Sequence, residues 1–221
     1  MRTGSLANPW DPGVSLPGST LEAYAAGIDS GVPFNRLFIS DIKADRVDAA
    51  KARLVGRGAI VTAYVKPAER AVEDVVKAID PYGLHFAVLD PYSLDLPFSV
   101  IESLSALKRV DLMILLSTGD LQRNFRKDYV DPAHSTLDRF APGWRSHVDL
   151  TGGDDETLRQ RVIEYWFSLL GRLNFATAPR MHAARNSKNV IMYWLIFASR
   201  SDTATTFWDK ATSYLAEPQL F

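Results

Sequence analysis

The sequence predicts an α/β fold: a mainly parallel sheet with helices on both faces and a C-terminal strand added to the sheet. Three observations carry this expectation. Short apolar runs alternate with segments of helical period between Ser19 and Leu116, and such alternation implies parallel strands joined by right-handed crossovers. Val110-Asp111-Leu112-Met113-Ile114-Leu115-Leu116 is nearly continuous apolar sequence, as expected of a strand covered on both faces. A second strongly apolar run, Val190 to Ala198, comes late in the chain after a long helical segment.

The elements follow in order. Met1 to Pro17 is rich in Gly, Pro, Ser and Asn without periodicity and reads as loop or extended chain. Ser19-Thr20-Leu21-Glu22 fits a capping box, which predicts a helix to about Ser30. Leu37-Phe38-Ile39 forms a strand ending at Asp41. Val47, Ala50 and Leu54 mark the next helix, closed by Gly56 and Gly58. Ile60 to Tyr64 is a second strand, and Pro67 suits the first turn of a third helix. His85 to Leu89 is a third strand, and Val100, Ile101, Leu104 and Leu107 give a fourth helix. From Gly119 to Thr151 the chain is polar, irregular and basic, and reads as an insertion beside the sheet edge. Leu158, Val162, Trp166, Leu169 and Leu170 line a long helix; Phe207, Trp208, Ala211 and Leu215 line a final one. With no repeat and no linker, residues 1–221 read as a single domain.

The 221 residues are 47% hydrophobic, enough for a sizeable core. A formal net charge of -1 gives no global attraction to nucleic acid or anionic membrane. The absence of cysteine excludes disulfides and thiolate metal sites. The four histidines show no ligand spacing, so no metal site is expected, and His85 reads as a partly buried structural residue. No apolar run reaches the roughly 18 residues needed to span a bilayer. A cytoplasmic protein is the expectation, since cysteine-free chains suit a reducing compartment.

The segment His85-Phe86-Ala87-Val88-Leu89-Asp90-Pro91-Tyr92 holds the leading candidate site. In open α/β sheets, ligands sit beyond the carboxyl ends of the strands. An acid delivered there accepts from an amine or hydroxyl. Pro91 fixes the chain direction, and Tyr92 offers a stacking face. An earlier copy, Asp80-Pro81-Tyr82-Gly83, follows a helical pattern and reads as a helix stop. Asp41 ends the first strand, where an acid serves either to accept from ribose hydroxyls or to cap the following helix. Parallel strands gather their carboxyl ends, so Asp41 and Asp90 are expected at one edge. Arg123, Asn124, Arg126 and Lys127 form either a phosphate-facing patch or a solvated helix face. Trp166 reads as core, and Tyr193 and Trp194 must face opposite sides of a strand.

Four pieces of the chain, taken in order, resemble the three-Cys-motif partner protein family (TcmP). They are Gly18-Ser19, then Phe38-Ile39-Ser40-Asp41 with Asp45-Arg46-Val47. Next comes Leu89-Asp90-Pro91-Tyr92-Ser93-Leu94, continuing through Val110-Asp111-Leu112 to Gly119-Asp120-Leu121-Gln122-Arg123-Asn124. The last is Tyr193-Trp194-Leu195-Ile196-Phe197-Ala198-Ser199 with Phe207-Trp208-Asp209-Lys210. The resemblance implies a Rossmann-type methyltransferase fold, S-adenosylmethionine as cofactor and a three-Cys-motif protein as partner. It implies that Asp41 and Ser19 contact the cofactor. It also implies that Asp90, Pro91 and Tyr92 hold the target amine, as a similar Asp- or Asn-Pro-Pro-aromatic loop does in amino-methyltransferases. Two alternatives are a non-catalytic docking subunit and a nucleic-acid-processing factor.

The chain departs from the family pattern in two places. It has one proline in the loop rather than two. The family's central first strand, with its Asp-x-Phe-Ala-Gly-Pro-Gly-like cofactor loop, has no counterpart before Gly18. A start downstream of the true beginning or a degenerate cofactor site would each account for this. Either way, the strands flanking that position are expected to lack a partner unless Met1 to Pro17 fills the gap.

Overall fold

The computed structural model describes residues 18–130, 136–185 and 189–213, the side chains of 127 and 128 excepted. The chain divides into two compact units, Met1–Ala71 and Val72–Phe221. The fold is α/β, as the alternation of elements predicts.

In the first unit, helices α1 (Ser19–Asp29) and α2 (Ala44–Val55) accompany strands β1 (Leu37–Asp41) and β2 (Val61–Val65). The strands pair in parallel, with Leu37 opposite Val61 and Asp41 opposite Val65. Leu21, Tyr24, Leu54 and Ala59 make a small buried cluster against Leu37, Ile39 and Val61. The helix begins one residue earlier than the expected capping box requires. Gly18 is the N-cap and no side chain caps the helix, so Ser19 is the first helical residue. The extended Gly18 carbonyl already accepts from Leu21 and Glu22. At the other end of α2, Gly58 takes the positive φ of 87° that ends the helix.

Helix α3 (Ala68–Ala78) leads into the second unit, whose sheet contains β3 (His85–Leu89), β4 (Val110–Leu116), β5 (Ala176–Thr177), β6 (His182–Arg185) and β7 (Ile191–Ser199). The order is β3-β4-β7-β5, with β6 also on β7. The pairing β3–β4 is parallel, whereas β4, β5 and β6 all meet β7 antiparallel. The larger sheet is therefore mixed rather than mainly parallel. The link from β6 to β7 is too short for a crossover, which permits only antiparallel pairing. The late apolar run does join the sheet, with Leu112 opposite Ala198. Its one buried polar residue, Ser199, donates to Asp111 at 2.5 Å and so satisfies the acid inside β4. Among the described residues, β1 pairs with β2 alone and β3 with β4 alone. Met1 to Pro17, which were expected to bear on these free edges, lie outside the described residues.

The segment expected to be an irregular insertion is instead part of the core. It forms α5 (Thr118–Asn124), a π-helical turn (Phe125–Tyr129), α6 (Thr136–Phe140) and α7 (Trp144–His147). Leu121, Phe125, Tyr129, Leu137, Phe140 and Trp144 are all buried. Each helix is too short to display a period, so the apolar positions look scattered in sequence. They pack on α8 (Asp155–Arg172), where Phe140 stacks on Trp166 with ring centroids 5.0 Å apart. The fourth helix, α4 (Phe98–Leu104), stops short of Leu107, which is buried in the turn beyond it. The last helix, α9 (Asp202–Thr212), buries no residue fully, and Phe207 is 73% exposed. Leu215, expected on this helix, lies outside the described residues.

Two carboxylates order the loop before α8. The Thr151 hydroxyl, then its backbone N–H, hold Asp149 below the usual carboxylate value of 3.8. The Thr157 backbone N–H, then its hydroxyl, do the same for Asp154, the N-cap of α8. Folded values depressed in this way contribute stability above pH 3.8 that is lost as the pH falls through the folded values.

Arg200 ties two helix ends to the sheet. Its guanidinium donates to the carbonyls of Ser105, Leu107 and Leu173 at 2.9 to 3.1 Å, and lies 4.6 Å from the Phe175 ring centroid. Ser105 and Leu173 are the C-caps of α4 and α8, where a cation complements the helix dipole. Arg200→Ala is expected to cost about 2 kcal/mol in urea denaturation, the scale of losing charge-assisted bonds to carbonyls. Arg200→Lys is expected to recover less than half, because an ammonium cannot span three carbonyls.

Candidate functional site

The two Asp-Pro-Tyr copies adopt different structures. After α3, Asp80 closes a turn: its Oδ1 accepts from Tyr82 N at 3.0 Å and its carbonyl from Gly83 N at 3.1 Å. His85 Nε2 donates to the same carbonyl at 2.6 Å, so the histidine is structural, as expected. The Tyr82 ring sits under Lys108, 4.6 Å from the ammonium. This copy is a helix stop.

The second copy leaves the carboxyl end of β3. Asp90 is exposed, Pro91 is half-buried, and Tyr92 is 92% exposed. The chain then turns sharply at Ser93, which has a φ of 67°, and dives into the core through Leu94, Leu96 and Phe98. The Asp90-Pro91-Tyr92 segment is thus a raised crest, anchored immediately behind the ring.

Asp120, in the first turn of α5 after β4, organises the anchor. Its Oδ2 accepts hydrogen bonds from both Ser93 Oγ and the Tyr129 hydroxyl. Its Oδ1 accepts from Asn124 Nδ2 at 2.8 Å, with Arg123 Nη2 at 3.8 Å. The Asp120 side chain is 13% exposed and Tyr129 is 4% exposed, so these bonds form away from water, where they are stronger. The π-helical turn explains how Tyr129 reaches Asp120. On a regular α-helix, nine residues span about 900°, which puts the two side chains on opposite faces. The wider turn through Phe125–Tyr129, closed by Val130 N to Phe125 O at 2.9 Å, breaks that regular phase. Such turns recur at functional sites.

The expected phosphate-facing residues are engaged with acids. Arg123 and Asn124 face Asp120, and Arg126 Nε donates to Asp155 at 2.6 Å. The Lys127 side chain lies outside the described residues. The basic residues that follow behave alike: Arg139 meets Asp95 at 3.3 Å and Arg145 meets Asp138 at 2.8 Å.

Asp41 belongs to the first unit. Its Oδ1 accepts from Lys43 N at 2.8 Å and its Oδ2 lies 3.7 Å from Arg46, so its carboxylate helps start α2. Ser19 is exposed at the start of α1. A Cβ placed on Gly18 would meet nothing within 4 Å, so Gly18 is not part of a close cradle. Gly18 thus offers no cradle for the amino-acid end of S-adenosylmethionine, while the partly exposed Asp41 carboxylate keeps acceptor sites for a ribose hydroxyl. Trp166 is core, and Tyr193 is exposed while Trp194 is buried, in line with the sequence.

Sequence reasoning missed Ser93, Asp120 and Tyr129 as a functional group. Nothing in the one-dimensional pattern marks a positive-φ serine or a π-helical turn, although the serine's place directly behind the Asp-Pro-Tyr run was available as a signal. No helix among the described residues is long and apolar enough to cross a membrane. No family model matches the chain, and no curated protein matches it.

Proposed function

We propose that this chain is a Rossmann-type, methyltransferase-like protein that works with a three-Cys-motif partner, and that its Asp90-Pro91-Tyr92 crest receives a flat, amine-bearing ring such as a nucleobase. One observation carries the reading. The crest leaves the carboxyl end of a strand paired in parallel with β4, presenting an exposed acid and a fully presented ring. Tyr92 supplies the stacking face, Asp90 accepts from the amine, and Pro91 keeps the two in fixed relation. Methyl transfer demands chiefly such positioning.

S-adenosylmethionine is the methyl donor this reading requires, and Asp41 and Ser19 are its candidate contacts. With Asp41 shared between Lys43 and Arg46, calorimetric titration is expected to give a dissociation constant of about 1 mM or weaker, the yield of one or two polar contacts. Micromolar binding would contradict this.

The test is transfer of labelled methyl from millimolar S-adenosylmethionine to single-stranded DNA and RNA, with and without Asp90→Ala. Transfer to exocyclic amines that Asp90→Ala abolishes supports the proposal. Ring binding without transfer favours the second reading, a docking subunit with a degenerate cofactor site, for which the open surroundings of Gly18 speak. Binding that falls steeply with salt and ignores Tyr92 would instead assign a nucleic-acid-processing role to the basic segment. The pairing of its arginines with carboxylates argues against that.

A further inference from the structure

Ser93 joins two features that its local sequence does not require. Its φ of 67° lies in the left-handed region, which costs a non-glycine residue about 1 kcal/mol or more. Its hydroxyl is bound to Asp120, a residue 27 positions away on another element. Strain of this kind persists only where the surroundings hold it. Here the holder is visible: Asp120 takes Ser93 Oγ and the Tyr129 hydroxyl on one oxygen and Asn124 on the other.

We propose that Ser93, Asp120 and Tyr129 form a latch that positions the Asp90-Pro91-Tyr92 crest, so that ring capture depends on the Ser93–Asp120 hydrogen bond rather than on the stability of the fold. Asp120 and Tyr129 are positioning residues that act through the crest and do not touch the ring. The latch lies directly behind Tyr92, and released from Asp120 Ser93 relaxes to negative φ. That rotation propagates into Pro91 and Tyr92, because the chain on the other side is fixed by buried Leu94 and Leu96. This deepens the ring-binding role proposed for the crest and rests on it for the identity of the ligand.

Three replacements at Ser93 separate backbone strain from the latch. Ser93→Asn tolerates positive φ and retains a donor, Ser93→Gly tolerates positive φ without a donor, and Ser93→Ala has neither advantage. Asp120→Asn disturbs the latch with Ser93 untouched. Each is measured by thermal melting, by hydrogen exchange of the amides of residues 90–93 without ligand, and by titration with deoxyadenosine monophosphate. Melting is expected to rank by φ tolerance, with Ser93→Ala lowest among the Ser93 variants. Exchange and affinity are expected to rank by the donor instead. Ser93→Asn should stay close to the parent, while Ser93→Gly, Ser93→Ala and Asp120→Asn exchange faster and bind about tenfold more weakly, the scale of one bond to a charged group.

Affinity that simply follows melting temperature, or crest exchange in Asp120→Asn and Ser93→Ala at the parent rate, overturns the latch. If the parent protein binds no nucleotide, the ring-binding reading fails, and the exchange data alone decide whether the latch exists.

Discussion

Asp120→Ala is expected to destabilise the protein by about 3 kcal/mol, since each buried donor left without a partner costs about 1–3 kcal/mol. Three donors lose their acceptor: the hydroxyls of Ser93 and Tyr129 and the amide of Asn124. Asn124 is half-buried and regains water. Tyr129 is nearly inaccessible, and Ser93 Oγ lies 3.1 Å from its hydroxyl, so the two hydroxyls lose the charged acceptor they share. Losing the charge returns little, because Arg123 lies 3.8 Å away and is 63% exposed. Asp155→Ala is the control. It breaks a shorter ion pair to Arg126 at 2.6 Å, yet both partners are well exposed, and such pairs are worth at most about 1 kcal/mol. Urea denaturation of the two variants is expected to separate them clearly. A cost for Asp120→Ala no larger than that for Asp155→Ala would mean that Asp120 does not organise the anchor.

Tyr92→Ala is expected to do the opposite, leaving stability within about 0.5 kcal/mol of the parent, as surface substitutions do. The ring is 92% exposed and contributes almost nothing to the core. Ring capture, by contrast, is expected to fall by about 1–3 kcal/mol, the scale of one base–aromatic stack. Tyr82→Ala provides a control inside the same chain. It carries the same flanking Asp-Pro, but its ring is covered on one side by Lys108 and its turn closes on itself. It is expected to leave nucleotide affinity unchanged. Equal losses from the two variants would reduce the second Asp-Pro-Tyr to a surface turn.

The elements were legible where length and period agreed. β3, β4 and β7 stand within one residue of their expected positions, because compact apolar runs bounded by polar residues leave little choice. Strand direction was not legible. β7 reads like any buried strand; the short β6–β7 link fixes its direction against β6 alone, and β5 and β6 are too brief to notice in sequence. The segment from Gly119 to Thr151 misled for a related reason, since its buried residues are distributed over four short helical pieces, each with its own phase.

At the candidate site, the crest was readable because Asp, Pro and Tyr bring their chemistry with them. Its support was not. Asp120 becomes an anchor only through a serine in the left-handed region and a π-helical turn that re-aims Tyr129. Both are backbone decisions made by tertiary packing. Asp41 shows the converse. Its place at the end of β1 was legible, but its engagement with Lys43 and Arg46 depends on how α2 begins.

That the crest after β3 receives a flat ring on Tyr92 is tested most directly by titrating deoxyadenosine monophosphate into protein carrying isotope-labelled tyrosine and backbone amides, followed by NMR. The expected result is upfield ring-current shifts on Tyr92 and changes at the amides of residues 90–93, with Tyr82 and Tyr193 unmoved. Shifts centred on other aromatic residues, or none at Tyr92 at millimolar nucleotide, would contradict it.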